Sequence, residues 1–459
     1  MQGAGLKALK FGVIGGTAPL ASARFYSVLA KVAAARADAQ YFDAIFRQLP
    51  MPFEAFDSSD CKLRIFETIR EFEKCGVTTV LLPSLANQAL IDELKANTRL
   101  AVLGKFEAMQ FAVLESFPDV RRVGLLMSDD VRMQSPFAWL YPRVQSERRD
   151  DQRDDWLAAC ESLIEQGAQV IVHDLSAVSL ADAQKAAPNV PMIDVNLAYA
   201  RYAIEGRHDW PAPDVKVGVV GGIGPAATVD FLQKIVRNTP AARDQDHIKM
   251  LVEQNPQIPD RTENLIGDGA DPTLSLYAAC KRLEEGGAGV IAMPCNTAHA
   301  FVERIQPHLG VPIVNMLTET ARYLRAAFPA LRDVGVLATS GTIESGVYRK
   351  ALESQGLREV APGAALQARV MAAIYGKQGV KAGFTTGPCL DDIRAALDGL
   401  IAEGVEVVIL GCTELPLLLS CATYESAAGG RVTLIDPTDV LAKRCVEFAK
   451  GHRDQIATL

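Results

Sequence analysis

Val217-Gly218-Val219-Val220-Gly221-Gly222-Ile223-Gly224-Pro225 is a β-branched run that ends in a glycine loop and a proline, and an earlier copy stands at Phe11-Gly12-Val13-Ile14-Gly15-Gly16-Thr17-Ala18-Pro19. Such a stretch reads as a strand followed by a tight glycine turn that opens onto a helix, because Val and Ile suit a pleated surface and Gly the turn. Later landmarks keep the register of the repeat. Leu81-Leu82-Pro83-Ser84 answers Ala292-Met293-Pro294-Cys295, and Val123-Gly124-Leu125-Leu126 answers Val334-Gly335-Val336-Leu337. Glu165-Gln166-Gly167-Ala168-Gln169-Val170-Ile171-Val172 then answers Ala402-Glu403-Gly404-Val405-Glu406-Val407-Val408-Ile409. The chain therefore reads as two homologous halves. The joint falls in the polar stretch 206–214, which holds Pro211 and Pro213, and the boundary is placed near Ala212, giving domains 1–212 and 213–459.

Within each half, short Val/Ile/Leu runs alternate with longer amphipathic segments. In the second half the pattern predicts strands over 217–220, 290–293, 334–337 and 407–410, with helices over 228–237 and 297–305. The strand runs lack an apolar/polar alternation, as expected when helices cover both faces of a parallel sheet. The fold class is α/β. In such sheets ligands sit beyond the carboxyl ends of the strands.

Bulk properties exclude several function classes. A length of 459 residues accommodates several domains at roughly 100–200 residues each. With 49% apolar and 22% charged residues, the composition is that of an ordinary globular protein rather than a disordered or fibrous one. A net charge of -8 speaks against nucleic acid or an anionic membrane surface as partner, since both require a concentrated positive field. The apolar stretch 405–419 is interrupted by Glu406 and Glu414, well short of the roughly 20 residues of a membrane span. The start of the chain shows no signal-type apolar segment, so the expected location is cytoplasmic. An odd number of cysteines, nine, reads as reduced thiols rather than a disulfide framework.

Chemistry gathers at the strand ends of the second half. Cys295 in Pro294-Cys295-Asn296-Thr297-Ala298-His299 follows one strand and precedes an expected helix N-terminus, a setting that favours the thiolate. Cys412 in Gly411-Cys412-Thr413-Glu414-Leu415-Pro416 repeats the arrangement after another strand. Cys280 and Cys445 fall inside expected helices and read as packing residues. Arg261, in Asn255-Pro256-Gln257-Ile258-Pro259-Asp260-Arg261-Thr262, is either a solvated loop residue or a clamp for a carboxylate. The Gly221–Pro225 loop lacks the G-x-G-x-x-G spacing and has no accompanying acidic residue for a ribose, which sets a nicotinamide cofactor aside.

Taken in order, the Gly-Gly-x-Gly-Pro loop, Ile-Pro-Asp-Arg-Thr, Pro-Cys-Asn-Thr-Ala-His and Gly-Cys-Thr-Glu-Leu-Pro closely resemble the aspartate/glutamate racemase family, aspartate racemases in particular. The resemblance covers 215–450, and Asn315-Met316-Leu317-Thr318-Glu319-Thr320 and Ala338-Thr339-Ser340-Gly341-Thr342 also look like family segments. It implies a half made of two α/β subdomains related by a pseudo-twofold, with the site in the cleft between them. It further implies cofactor-independent racemisation of an amino acid, with no metal. Inverting Cα requires a proton to leave one face and another to arrive at the opposite face, so two acid/base groups must flank the carbon. By the resemblance these are Cys295 and Cys412. Asn296, Thr297 and Thr413 are the candidate donors to the α-carboxylate, Thr339 a further substrate contact, and Arg261 the holder of a side-chain carboxylate. Glu414 either tunes Cys412 or forms a salt bridge, and His299 either shares the face of Cys295 or packs and caps.

The first half departs from this pattern. Ser84 stands where Cys295 does, Leu175 where Cys412 does, and Met51-Pro52-Phe53-Glu54-Ala55 replaces the arginine loop. Serine is too weak an acid without a base, and leucine cannot act at all. Residues 1–212 are expected to be racemase-like but inactive, and to act as a covalently attached pseudo-dimer partner. The competing readings are an amino-acid-binding or sensing protein without turnover, and another two-cysteine reaction such as hydantoin racemisation or maleate cis-trans isomerisation. A metal site on Cys295, His299 and Cys412 is disfavoured by the spacing of the ligands.

Overall fold

The computed structural model describes residues 10–16, 19–35, 43–49, 58–83, 88–126, 138–140, 153–173, 189–205 and 215–451. The chain divides into two compact units, Met1–Pro213 and Asp214–Leu459. The joint at 206–214, the loop at 51–55, Ser84 and Leu175 all lie outside the described residues.

The first unit holds strands β1 (Lys10–Gly15), β2 (Asp43–Gln48), β3 (Thr79–Leu81), β4 (Ala101–Leu103), β5 (Arg122–Leu126), β6 (Ala138–Leu140), β7 (Val170–His173) and β8 (Met192–Asp194). They form two parallel sheets, in the orders β2-β1-β3-β4 and β6-β5-β7-β8.

In the second unit, β9 (Val217–Gly221), β10 (Met250–Gln254), β11 (Val290–Ala292) and β12 (Ile313–Val314) form a parallel sheet in the order β10-β9-β11-β12. A second sheet, β14-β13-β15-β17-β16, contains β13 (Asp333–Leu337), β14 (Arg358–Val360), β15 (Val407–Leu410), β16 (Thr423–Glu425) and β17 (Arg431–Ile435). Only the β16/β17 pair in that sheet is antiparallel.

The unpatterned apolar strands are explained by burial on both faces. Val217 and Val219 pack with Phe231 and Ile235 of the helix Pro225–Asn238 and with Leu441, Cys445 and Phe448 of the helix Pro437–Ala449. Val220, on the other face of β9, meets Leu276, Cys280 and Leu283 of the helix Thr273–Glu285. In β15, Val408 and Leu410 face Ile393, Leu397 and Leu400, whereas Val407 and Ile409 face Tyr348 and Leu352. Cys280 and Cys445 are thus core residues, and all nine cysteines are unpaired. Truncating any of these large aliphatic residues to alanine costs about 2–5 kcal/mol.

The last helix returns from the second sheet to the first, where Lys234 pairs with Asp436 at 2.5 Å and donates to Thr438 at 2.6 Å. Gly222 adopts φ +86, and a Cβ there would lie 2.4 Å from the carbonyl carbon of Asn255, so only glycine lets the β9 turn approach the loop that carries Arg261.

Two local expectations change. Strand β11 stops at Ala292, and 297–305 is not one α-helix but a 3-10 turn, Thr297–Phe301, followed by a single α-turn, Val302–Ile305. The His299 N–H bonds three residues back to Asn296 O at 3.1 Å, which is the tighter 3-10 pattern. Pro307 then ends the α-turn because it has no N–H to return to residue 303. No helix among the described residues is long and apolar enough to cross a membrane.

Candidate active site

The carboxyl ends of β9, β11, β13 and β15 converge on one cleft in the second unit. It is lined by Ile223, Arg261, Thr262, Cys295, Asn296, Thr297, Thr339, Tyr375, Lys381 and 411–414. Every sequence-derived candidate except His299 is in this lining. Both cysteines line the cleft and are buried, 7% and 6% exposed.

Cys295 lies three residues beyond the end of β11 at Ala292, and its N–H bonds Met293 O at 2.7 Å. The 3-10 turn after it is too short to act as the helix N-terminus anticipated from sequence, and the nearby positive charge belongs instead to Arg261. Arg261 opens a short helix capped by Asp260, whose Oδ1 accepts from the Thr262 and Glu263 N–H groups at 2.8 and 3.0 Å. Its Nη1 donates to the carbonyls of Ile258 and Pro259, while the buried Nε has no partner. Burial opposes the charge on Arg261, but the neighbouring Cys295 and the Asp260 carboxylate more than offset it and hold its pKa above the usual arginine range.

Cys412 has the opposite surroundings. Its Sγ donates to Glu414 Oε2 at 3.1 Å, the Thr413 hydroxyl donates to the same oxygen at 3.3 Å, and Lys381 Nζ donates to Glu414 Oε1 at 2.9 Å. Burial pushes the Cys412 thiol well up, the Glu414 carboxylate adds to this, and the Lys381 ammonium opposes it. Burial likewise opposes the charge on Lys381, yet Glu414 and Cys412 outweigh it and keep the ammonium protonated. Glu414 thus forms an ion pair with Lys381 and accepts a hydrogen bond from the neighbouring Cys412 thiol.

A hydroxyl cluster closes the cleft between the sheets. Thr262 Oγ1 donates to Thr339 Oγ1 at 3.0 Å, and Thr297 and Thr342 are 2.7 Å apart. Thr339 caps the helix Ser340–Glu344 that follows β13. His299 lies behind Cys295. Its Nδ1 is 2.9 Å from Cys295 O, and its Nε2 accepts from the Met316 N–H at 3.1 Å. Burial pushes the imidazole below its usual range, so it is neutral, with both nitrogens committed to backbone. That settles its place as an anchor of the Cys295 loop and leaves no nitrogen to ligate a metal.

Sequence reasoning did not single out Lys381, Tyr375, Thr262 or Tyr348. Lys381 lies in the 3-10 turn Val380–Ala382, flanked by Gly379 and Gly383, and its charge between glycines was the available signal.

Residues 220–445 match the model of the Asp/Glu/hydantoin racemase family. A glutamate racemase of Corynebacterium glutamicum is 31% identical over 201 residues, covering 41% of this chain and 69% of that protein. The chain belongs to the Asp/Glu/hydantoin racemase family. As a racemase it is an isomerase, and the matched residues include the whole cleft. It is also similar to a broad-specificity amino-acid racemase of Bacillus subtilis, 29% identical over 236 residues, 50% of this chain and 96% of that protein. Among solved structures, the aspartate racemase of Picrophilus torridus is 28% identical and covers 53% of this chain and 98% of its own, with a TM-score of 0.45.

The Glu414 contact leads to a pH prediction for the racemase. Glu414→Gln removes the charge that raises the Cys412 pKa and leaves Lys381 to lower it. With Cys295 and Cys412 as the two acid/base groups, the alkaline limb of kcat/KM, where the pair would lose its second proton, is expected to move to lower pH. Enantiomers have equal free energy, so the limb must move identically for both. An alkaline limb in the same place as in the wild type would refute the assignment.

Proposed function

We propose that this racemase inverts an acidic amino acid, aspartate in the first place and glutamate or a related one in the second, by a two-base mechanism without a cofactor. One observation carries the reading: two buried thiols line the same cleft, one beside the Arg261 cation and the other hydrogen-bonded to the Glu414 anion. That asymmetry suits a thiolate/thiol pair, in which Cys295 removes the Cα proton and Cys412 supplies one to the opposite face. The reverse reaction exchanges the two roles.

Removing the α-proton pushes charge onto the α-carboxylate, so donors aimed at it lower the barrier. Asn296, Thr297 and Thr413 are those donors, with Thr339 a further contact. Arg261 holds the side-chain carboxylate through its free Nε edge. Residues 1–212 are a degenerate tandem copy without racemase activity, serving as a covalently attached partner; the repeated sheet order β2-β1-β3-β4 and β10-β9-β11-β12 supports the duplication. A 213–459 fragment that is fully active as a monomer would overturn the partner role.

The test is proton NMR of the full chain in deuterated buffer, following loss of the Cα–H signal from each enantiomer across an amino-acid panel. Exchange with inversion, fastest for an acidic amino acid, is expected. Tight aspartate binding without exchange would replace this reading with a binding protein.

A further inference from the structure

Asn296 is 2% exposed and lines the cleft, yet only half of its amide is used. The Tyr348 hydroxyl donates to Asn296 Oδ1 at 2.5 Å, whereas the buried Nδ2 has no partner. An unsatisfied buried donor is costly, and a ligand acceptor in the cleft removes that cost.

An asparagine amide has two orientations of almost the same shape, which exchange its acceptor and its donor. One presents N–H groups to a carboxylate, and the other sets oxygen against oxygen. The 2.5 Å separation fits an O–H···O bond rather than an N–H···O bond, so the Tyr348 hydroxyl selects Oδ1 and turns Nδ2 away from itself. Tyr348 stands in the helix Val347–Glu353, is fully buried and is not part of the cleft lining. Burial raises its pKa well above the usual tyrosine range, so it remains a neutral donor across the working pH.

We propose that Tyr348 is a positioning residue: it locks the Asn296 amide in the orientation that offers Nδ2 to the carboxylate of the bound amino acid. The proposal rests on the reading of the cleft as a carboxylate site. Its test is a double-mutant cycle on the full chain with Tyr348→Phe and Asn296→Ala. Tyr348→Phe is expected to lower kcat/KM about tenfold in the wild-type background and to have almost no effect once Asn296 is alanine. An equal loss in both backgrounds marks a merely structural role and overturns the proposal.

A second readout needs no turnover. The side-chain amide signals of Asn296, identified in 15N–1H spectra by their loss in Asn296→Asp, are expected to be sharp in the wild type and broadened or shifted in Tyr348→Phe. Unchanged signals overturn the locking role even if Asn296→Ala is inactive. Should the wild type racemise no acidic amino acid, the proposed function fails while these spectra still decide the role of Tyr348.

Discussion

Alanine at either Cys295 or Cys412 is expected to lower the rate of inversion by about 10²–10⁴-fold, the range over which positioned acid/base groups act. Either loss suffices because inversion needs a group on each face of Cα. The two cysteines line one cleft, each at the end of a separate sheet, so neither can be replaced by a shift of the other. Since the enantiomers are equal in free energy, kcat/KM must fall by the same factor in both directions. The measurement is the initial rate of optical inversion from each pure enantiomer, together with wash-in of solvent deuterium at Cα. Retention of more than a tenth of the wild-type inversion rate by either variant would exclude that cysteine as one of the two bases.

Arg261→Met is expected to have the second largest effect, a fall of about 10²–10³-fold in kcat/KM for acidic amino acids. Truncating one partner of a buried, hydrogen-bonded charge pair costs about 2–5 kcal/mol or more, and Arg261 is buried with its Nε unused by the protein. If the guanidinium holds the side-chain carboxylate, activity toward neutral amino acids falls far less, so the acidic-to-neutral preference collapses. A parallel loss for both classes would move Arg261 to the α-carboxylate or to support of Cys295 alone. Competition assays with mixed amino acids read this ratio directly.

Features encoded in contiguous residues are legible in the chain itself. A β-branched run, a glycine turn and a proline define β9 and its helix, and the short runs before Cys295 and Cys412 define β11 and β15 to within a residue. Burial by helices on both faces is readable from the missing alternation. The local backbone after Cys295 is not, because a 3-10 turn and an α-helix share the same composition, and the choice depends on His299 tying the loop to Met316. His299 itself is ambiguous for the same reason: spacing places it near Cys295, but only the fold shows what its nitrogens meet.

By itself, the sequence determined the α/β class, the repeated strand-turn-helix signature, and which residue types stand at the strand ends. Tertiary structure decided the electrostatics. Lys381 reaches Glu414 across 33 positions of the chain and Tyr348 reaches Asn296 across 52, and no local pattern announces either pair. Strand and helix propensities act over a few residues, whereas charge and hydrogen-bond complementarity act through space. The two cysteine motifs were therefore readable in the chain, and the unequal surroundings of the two cysteines, one beside a cation and one on a carboxylate, exist only once the strand ends converge.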